Sequence, residues 1–139
     1  MSLEFYIKTG KENMQIPVIC KLLRATYWAN NRSDEIIEKS MQKSDCIGAF
    51  LKENDLQIGF TRIVTDDATF YWVCDVVVDE NYRGYGIGKK MMETINNDPK
   101  YQRMNGMLGT LDAHGLYEKY GFIRTGDEKI MRKWNIVKM

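Results

Sequence analysis

Residues 70–78 read FYWVCDVVV, nine in a row with a single charge among them. A run this short and apolar, rich in aromatic and β-branched residues, fits a strand with both faces covered, in the middle of a sheet. The segment after it narrows the fold further. RGYGIG (Arg83–Gly88) leads directly into KKMMETI, where Ile87, Met91 and Ile95 recur at i, i+4 and i+8. That period makes a helix from Gly86 to Ile95 with one side against the sheet. A buried strand, a glycine turn and an amphipathic helix therefore succeed one another within 26 residues.

Such a turn suits an anion. The first helical N–H groups lack intrahelical partners, and the macrodipole adds positive potential. Gly86 and Gly88 remove Cβ atoms and let an anion reach the backbone, while Arg83 and Lys89 add charge. Two common phosphate motifs fail here. GxxxxGK[ST] would need glycine at Arg83 and Ser or Thr at Lys90. GxGxxG would need glycine at Lys89 or at Met91.

The rest of the chain reads as a mixed α/β layer with a central sheet. LEFYIK (Leu3–Lys8) alternates as a strand. Ile16, Ile19, Leu22 and Leu23 share a helical face. Ser33 is placed to cap the helix DEIIEKSMQK, which has two acids in its first turn. Strands come next at Cys46–Leu51, Leu56–Val64 and Thr69–Val78, separated by turns at Glu53–Asp55 and Thr65–Asp67. After the Gly86–Ile95 helix come a strand at Met107–Leu111 and a short helix at Ala113–Tyr120. Gly121 ends that helix, and Phe122–Ile123 and Lys129–Trp134 supply final strands.

Composition removes several classes of function. The 139 residues fit one domain, residues 1–139, long enough to bury a core without disulfides or metal. A formal net charge of +1 gives no support for a nucleic-acid or membrane-surface role. Three scattered cysteines without CxxC argue against a disulfide framework or zinc ribbon and fit a reducing, cytoplasmic setting. One histidine, His114, rules out HExxH, and no metal site is expected. No stretch is apolar enough to span a bilayer, and no signal peptide is visible. The nine methionines read as core filler.

Two motifs point to a family. RGYGIG after a strand matches [QR]xxGx[GA], the acyl-CoA signature of the GNAT (Gcn5-related N-acetyltransferase) superfamily. DAHGLYEKYGF (Asp112–Phe122) resembles that family's late helix, with Tyr117 four residues before the Gly121-Phe122 pair. TYWANNRS (Thr26–Ser33), GFTRIVTDDATF (Gly59–Phe70) and DVVVDENYRGYGIGK (Asp75–Lys89) resemble a branch of small bacterial members. The likeness runs from about residue 26 to residue 122.

The resemblance implies the GNAT acyl-CoA N-acyltransferase fold, a mostly antiparallel sheet splayed between its fourth and fifth strands. It implies acetyl-CoA as cosubstrate and a primary amine of a small molecule or protein as acceptor. Backbone amides of Arg83, Gly84, Tyr85, Gly86, Ile87, Gly88 and Lys89 would hold the pyrophosphate. The pantetheine arm would pair with Val76, Val77 and Val78 like an added strand, in the wedge between two parallel strands. A homodimer is compatible with the family. A non-catalytic acyl-CoA sensor or partner-binding module is the rival reading, and Tyr117 favours the enzyme.

Acetyl transfer needs a neutral amine, a stabilised oxyanion and a leaving thiolate that gains a proton. By the family match Tyr117 is the candidate acid, on a helix that Asp112 would cap. A backbone N–H near Val76 or Val77 is the candidate oxyanion donor. Asp75, inside an apolar run, is either the general base or a hydrogen-bonded acid tying the sheet to a helix. A water relay with no dedicated base is a third possibility. Tyr27, Trp28 and Arg32 could receive an amine that also bears a carboxylate, or serve as core anchors and a surface charge. His114 could face the cofactor or the acceptor pocket, or be structural. Asp66, Asp67 and Glu80 read as solvated turn residues.

Overall fold

The computed structural model describes residues 3–110, 113–126, 130, 131 and 133. Its strands are β1 (Phe5–Thr9), β2 (Asp45–Leu51), β3 (Gln57–Thr65), β4 (Phe70–Val78) and β5 (Asn105–Leu108). Its helices are α1 (Ile16–Arg24), α2 (Asp34–Gln42), α3 (Ile87–Asn97), α4 (Pro99–Gln102) and α5 (His114–Glu118). The five strands lie in sequence order, antiparallel from β1 to β4, with β5 parallel to β4.

Each face of the sheet carries its own core. Cys46, Phe50, Phe60 and Val77 pack with Ile19, Leu23, Ile37 and Met41 from α1 and α2. Ile47, Ala49, Ile63 and Val73 pack with Ile87, Met91, Met92 and Ile95 from α3. The helical spacing of α1 and α3 and the two-residue alternation of β2 produce this division directly. Ser33 caps α2 as expected, its hydroxyl accepting the Ile36 N–H at 3.2 Å. A Cβ at Gly59 would meet Ile87 Cγ2 at 3.0 Å and Ala49 Cβ at 3.2 Å. Glycine there lets the start of α3 lie close against the sheet.

The structure corrects several expectations. β4 lies between β3 and β5, as expected of an interior strand, but its first half faces solvent on one side, with Phe70 37% and Trp72 36% exposed. β5 begins at Asn105, two residues before the expected Met107. Phe122–Ile123 forms no strand. Instead the Phe122 ring meets Tyr117 and Tyr71 edge-on, both at 6.5 Å. Half of Lys129–Trp134 lies outside the described residues, as do Leu111 and Asp112. Among the described residues no helix is long and apolar enough to cross a membrane, and no group of acids, histidines or cysteines could hold a metal ion.

Candidate active site

The site begins with a fault in β4. Arg62 pairs with Cys74 and Phe60 with Val77, so Asp75 and Val76 together oppose Thr61. This is a β-bulge, and Asp75 takes its left-handed conformation, φ 56°. Aspartate tolerates that conformation better than the valines around it. Thr61 steadies the fault, its hydroxyl donating to the Cys74 carbonyl at 2.9 Å. One extra residue turns the strand over. Val73 packs on the α3 side and Val77, four residues on, packs on the α1–α2 side.

The bulge also frees an edge. Pairing of β4 with β5 ends at Val73 and Leu108. Beyond it, among the described residues, β4 keeps β3 on one side only, with Val77 against Phe60 and Val78 against Gly59. The Asp79 N–H bonds the Ile58 carbonyl at 2.8 Å, toward β3. Backbone groups alternate along a strand, so those of Val77 also face β3, while those of Val76 and Val78 face the open edge. Arg83 reaches that edge, its Nε 3.3 Å from the Val78 carbonyl.

The edge runs into the glycine turn. Gly84 and Gly86 both have positive φ, 87° and 80°, and Gly86 precedes the first residue of α3. The first α3 hydrogen bond is Lys90 N–H to the Gly86 carbonyl, 2.9 Å, leaving the N–H groups of Ile87, Gly88 and Lys89 ahead of it. A Cβ built on Gly84, Gly86 or Gly88 meets nothing within 4 Å. The missing side chains therefore leave a cradle open on its outer side. Arg83 and Lys89 are exposed beside it, Tyr85 is 51% exposed, and Ile87 is buried as the anchor. This donor set fits a pyrophosphate.

Asp75 lies on the α1–α2 face and brings two of the other candidates, Trp28 and Arg32, together around it. Its Oδ1 accepts Trp28 Nε1 at 3.1 Å. Its Oδ2 accepts Arg32 Nη1 at 2.9 Å and Arg62 Nε at 3.0 Å. The carboxylate side chain is 2% exposed, against 21% for Arg32 and 14% for Arg62. The loop that carries Trp28 and Arg32 is pinned by Thr26, whose hydroxyl donates to the Leu23 carbonyl and accepts the Ala29 N–H. Tyr27 stands 65% exposed, edge-on to Trp28 at 5.0 Å. Burial pushes the neighbouring Cys74 thiol up, against the pull of Arg62.

Arg62 is the residue that sequence reading missed. Its signal was available: a cation in the apolar strand IGFTRIV needs a partner, and Asp75 is the lone acid of the next strand.

Tyr117 sits on α5, buried in the α3-side core that also takes in Val76 and Val78. Gly121 ends the helix in the left-handed conformation, φ 87°, with Phe122 N–H on the Tyr117 carbonyl and Gly121 N–H on the Glu118 carbonyl. Tyr120 ties this end to α3, its hydroxyl 3.2 Å from the Lys89 carbonyl. His114 is half-buried at the first turn of α5. Asp66 and Asp67 are exposed in the β3–β4 turn, and Glu80 is exposed at the start of a 3-10 helix, Glu80–Tyr82. A cavity of about 470 Å³ lies between the start of β2 and α4, lined by Lys11, Asp45, Lys100 and Tyr101 among others, and holds none of the candidates.

Comparison with known proteins agrees with this fold. A solved Xanthomonas campestris pv. campestris protein, described as belonging to the GNAT family, superposes with TM-score 0.88 at 29% identity, covering 97% of this chain and 96% of that one. The Streptococcus pneumoniae GNAT family protein SP0256 shares the fold, with TM-score 0.70 at 23% identity over 96% of this chain and all of that one. An uncharacterized N-acetyltransferase of Porphyra purpurea, ycf52, is 22% identical over 89% of this chain and 73% of its own length. The family model for the acetyltransferase (GNAT) domain matches residues 45–124, from the first residue of β2 past α5, and the chain belongs to that family.

Proposed function

We propose that the protein is an acetyl-CoA-dependent N-acetyltransferase that passes the acetyl group to a primary amine by direct attack in a ternary complex. The observation that carries this reading is the free edge of β4, which leads from the bulge at Asp75 into the cradle at Gly84–Gly88. An amide-bearing arm can pair with Val76 and Val78 there while its phosphates meet the start of α3.

The bound thioester supplies the activated acetyl group. The chain's own groups do the rest. The Val76 N–H, turned to the open edge, is placed to hold an oxyanion. Tyr117 is the proton source for the departing sulfur. A phenol near pKa 10 facing a thiol near 8.5 needs help from the site, and packing that fixes its ring supplies part of it. Asp75 acts as a positioning carboxylate, because both its oxygens are already engaged by donors. Deprotonation of the amine falls to water at the open side of the site.

The test is release of free thiol from acetyl-CoA with a broad panel of amines. Release that depends on the amine, with initial-rate lines that intersect, supports the reading. Tight coenzyme A binding without turnover on any amine would instead make the protein a binding module.

A further inference from the structure

Arg32 and Arg62 both point at one carboxylate, and no other carboxylate among the described residues pairs with either. Two guanidinium charges against one Asp75 charge leave a positive charge uncompensated at the bulge. The forks are also only partly used. Arg32 donates through Nη1 alone, and Arg62 through Nε and through Nη1 to Ser44 Oγ at 3.2 Å. Arg32 Nε and Nη2 and Arg62 Nη2 make no hydrogen bond among the described residues. No unpartnered side-chain nitrogen is fully buried there either. These N–H groups therefore reach the surface, held in place by Asp75 and ready to donate.

Their surroundings define what they can meet. Asp75 is one residue from Val76, where the free edge of β4 begins. The phosphate cradle is at the other end of that edge, beyond Val78, so it does not compete for these arginines. Tyr27 and Trp28 flank the cluster with exposed rings, and the indole is tethered to the same carboxylate. A protonated amine would be repelled by this charge. An amine that carries its own anion would be drawn in and oriented, with the anion on the guanidinium forks and its spacer along the rings.

From this cluster we infer that the acceptor is a primary amine bearing a carboxylate or phosphate group, seated on Arg32 and Arg62. The inference rests on the transferase reading above for its chemistry, but not for its binding site. Amines tested in pairs check it: glycine against glycinamide, and phosphoethanolamine against ethanolamine. Calorimetric titration into the coenzyme A-saturated protein reads binding, and thiol release from acetyl-CoA reads transfer. The anionic member of at least one pair binds and, when transferred, has the higher kcat/KM, by roughly tenfold or more. The pair that responds tells carboxylate from phosphate. Arg32→Gln, at the more exposed of the two arginines, narrows that gap by raising KM more for the anionic member than for the neutral one. Anion-selective binding without thiol release fails the transferase reading and leaves the anion site standing. Neutral amines that bind as well as their anionic partners, or no binding by either anionic probe at millimolar concentration, overturn the inference.

Discussion

Arg62 Nε donates to Asp75 Oδ2 at 3.0 Å, across β3 and β4, next to the point where their register slips. The bond ties a buried acid in a left-handed conformation to a strand that would otherwise carry an unpaired cation. Asp75→Asn keeps the shape but leaves two guanidinium groups facing each other with no anion between them. The unfolding free energy should fall by about 3 kcal/mol, the low end of the range for breaking a buried pair, because both arginines keep some exposure. Denaturant melts at constant slope measure it. A variant as stable as the parent, with a rate lowered in a pH-dependent way, would return Asp75 to the role of general base.

The glycines of the turn separate stability from binding. Gly88 lies inside α3 without positive φ, and a Cβ there touches nothing within the protein. Gly88→Ala should therefore stabilise the fold by about 0.5–1 kcal/mol through helix propensity. If a pyrophosphate lies in the cradle, the same methyl weakens coenzyme A binding. Gly86→Ala should do the opposite to stability, costing about 1–2 kcal/mol at φ 80°. Thermal shift and calorimetry on the two variants read both effects. A Gly88→Ala protein that binds coenzyme A as tightly as the parent would remove the ligand from this turn.

How much of this was legible beforehand depends on range. The α3 turn, the Ser33 cap and the Gly121 stop are local, and patterns a few residues long announced them. The bulge is not local: it is a mismatch between β3 and β4, visible only when both strands are paired. The sequence still held a hint, since Asp75 is the one residue of VCDVVV at ease with positive φ. Asp75 as a possible base and Trp28 with Arg32 as possible acceptor contacts were read as separate features, although they form one cluster. Their sequence separations, 47 and 43 residues, put that contact beyond any periodicity argument. The exposed first half of β4 escaped for a similar reason. An apolar run shows what a strand can bury, and the placement of α1 and α2 decides which part is covered.

The β3–β4 turn offers a pH test. Asp66 accepts the N–H groups of Ala68, Thr69 and Phe70 and the Thr69 hydroxyl. The Thr69 hydroxyl, then these backbone donors, hold its carboxyl well below the usual carboxylate range. A depressed folded-state pKa means stability that is complete above the unfolded value and lost as pH falls through the folded one. The melting-temperature gap between the parent and Asp66→Asn should thus be full at neutral pH and close as pH drops below about 4. Added salt should change it little, because hydrogen bonds rather than distant charges cause the shift. A gap that does not narrow in acid would contradict the capping role.

Tyr117 is the sharpest test of the chemistry. It is buried beside Phe122 on a helix that Gly121 ends and Tyr120 ties to α3. Tyr117→Phe keeps the ring and its packing and deletes only the hydroxyl. Loss of a general acid costs on the order of 10²–10⁴ in rate. The turnover number should fall within that range while the acetyl-CoA dissociation constant changes little, because the proposed binding mode holds the donor on Val76, Val78 and the Gly84–Gly88 turn. A thioester with a more acidic leaving thiol needs less proton donation and should recover part of the loss. Unchanged turnover across the pH range would assign Tyr117 to packing. A parallel loss of rate and of acetyl-CoA affinity would instead mean that its hydroxyl orders the cofactor edge rather than protonating sulfur.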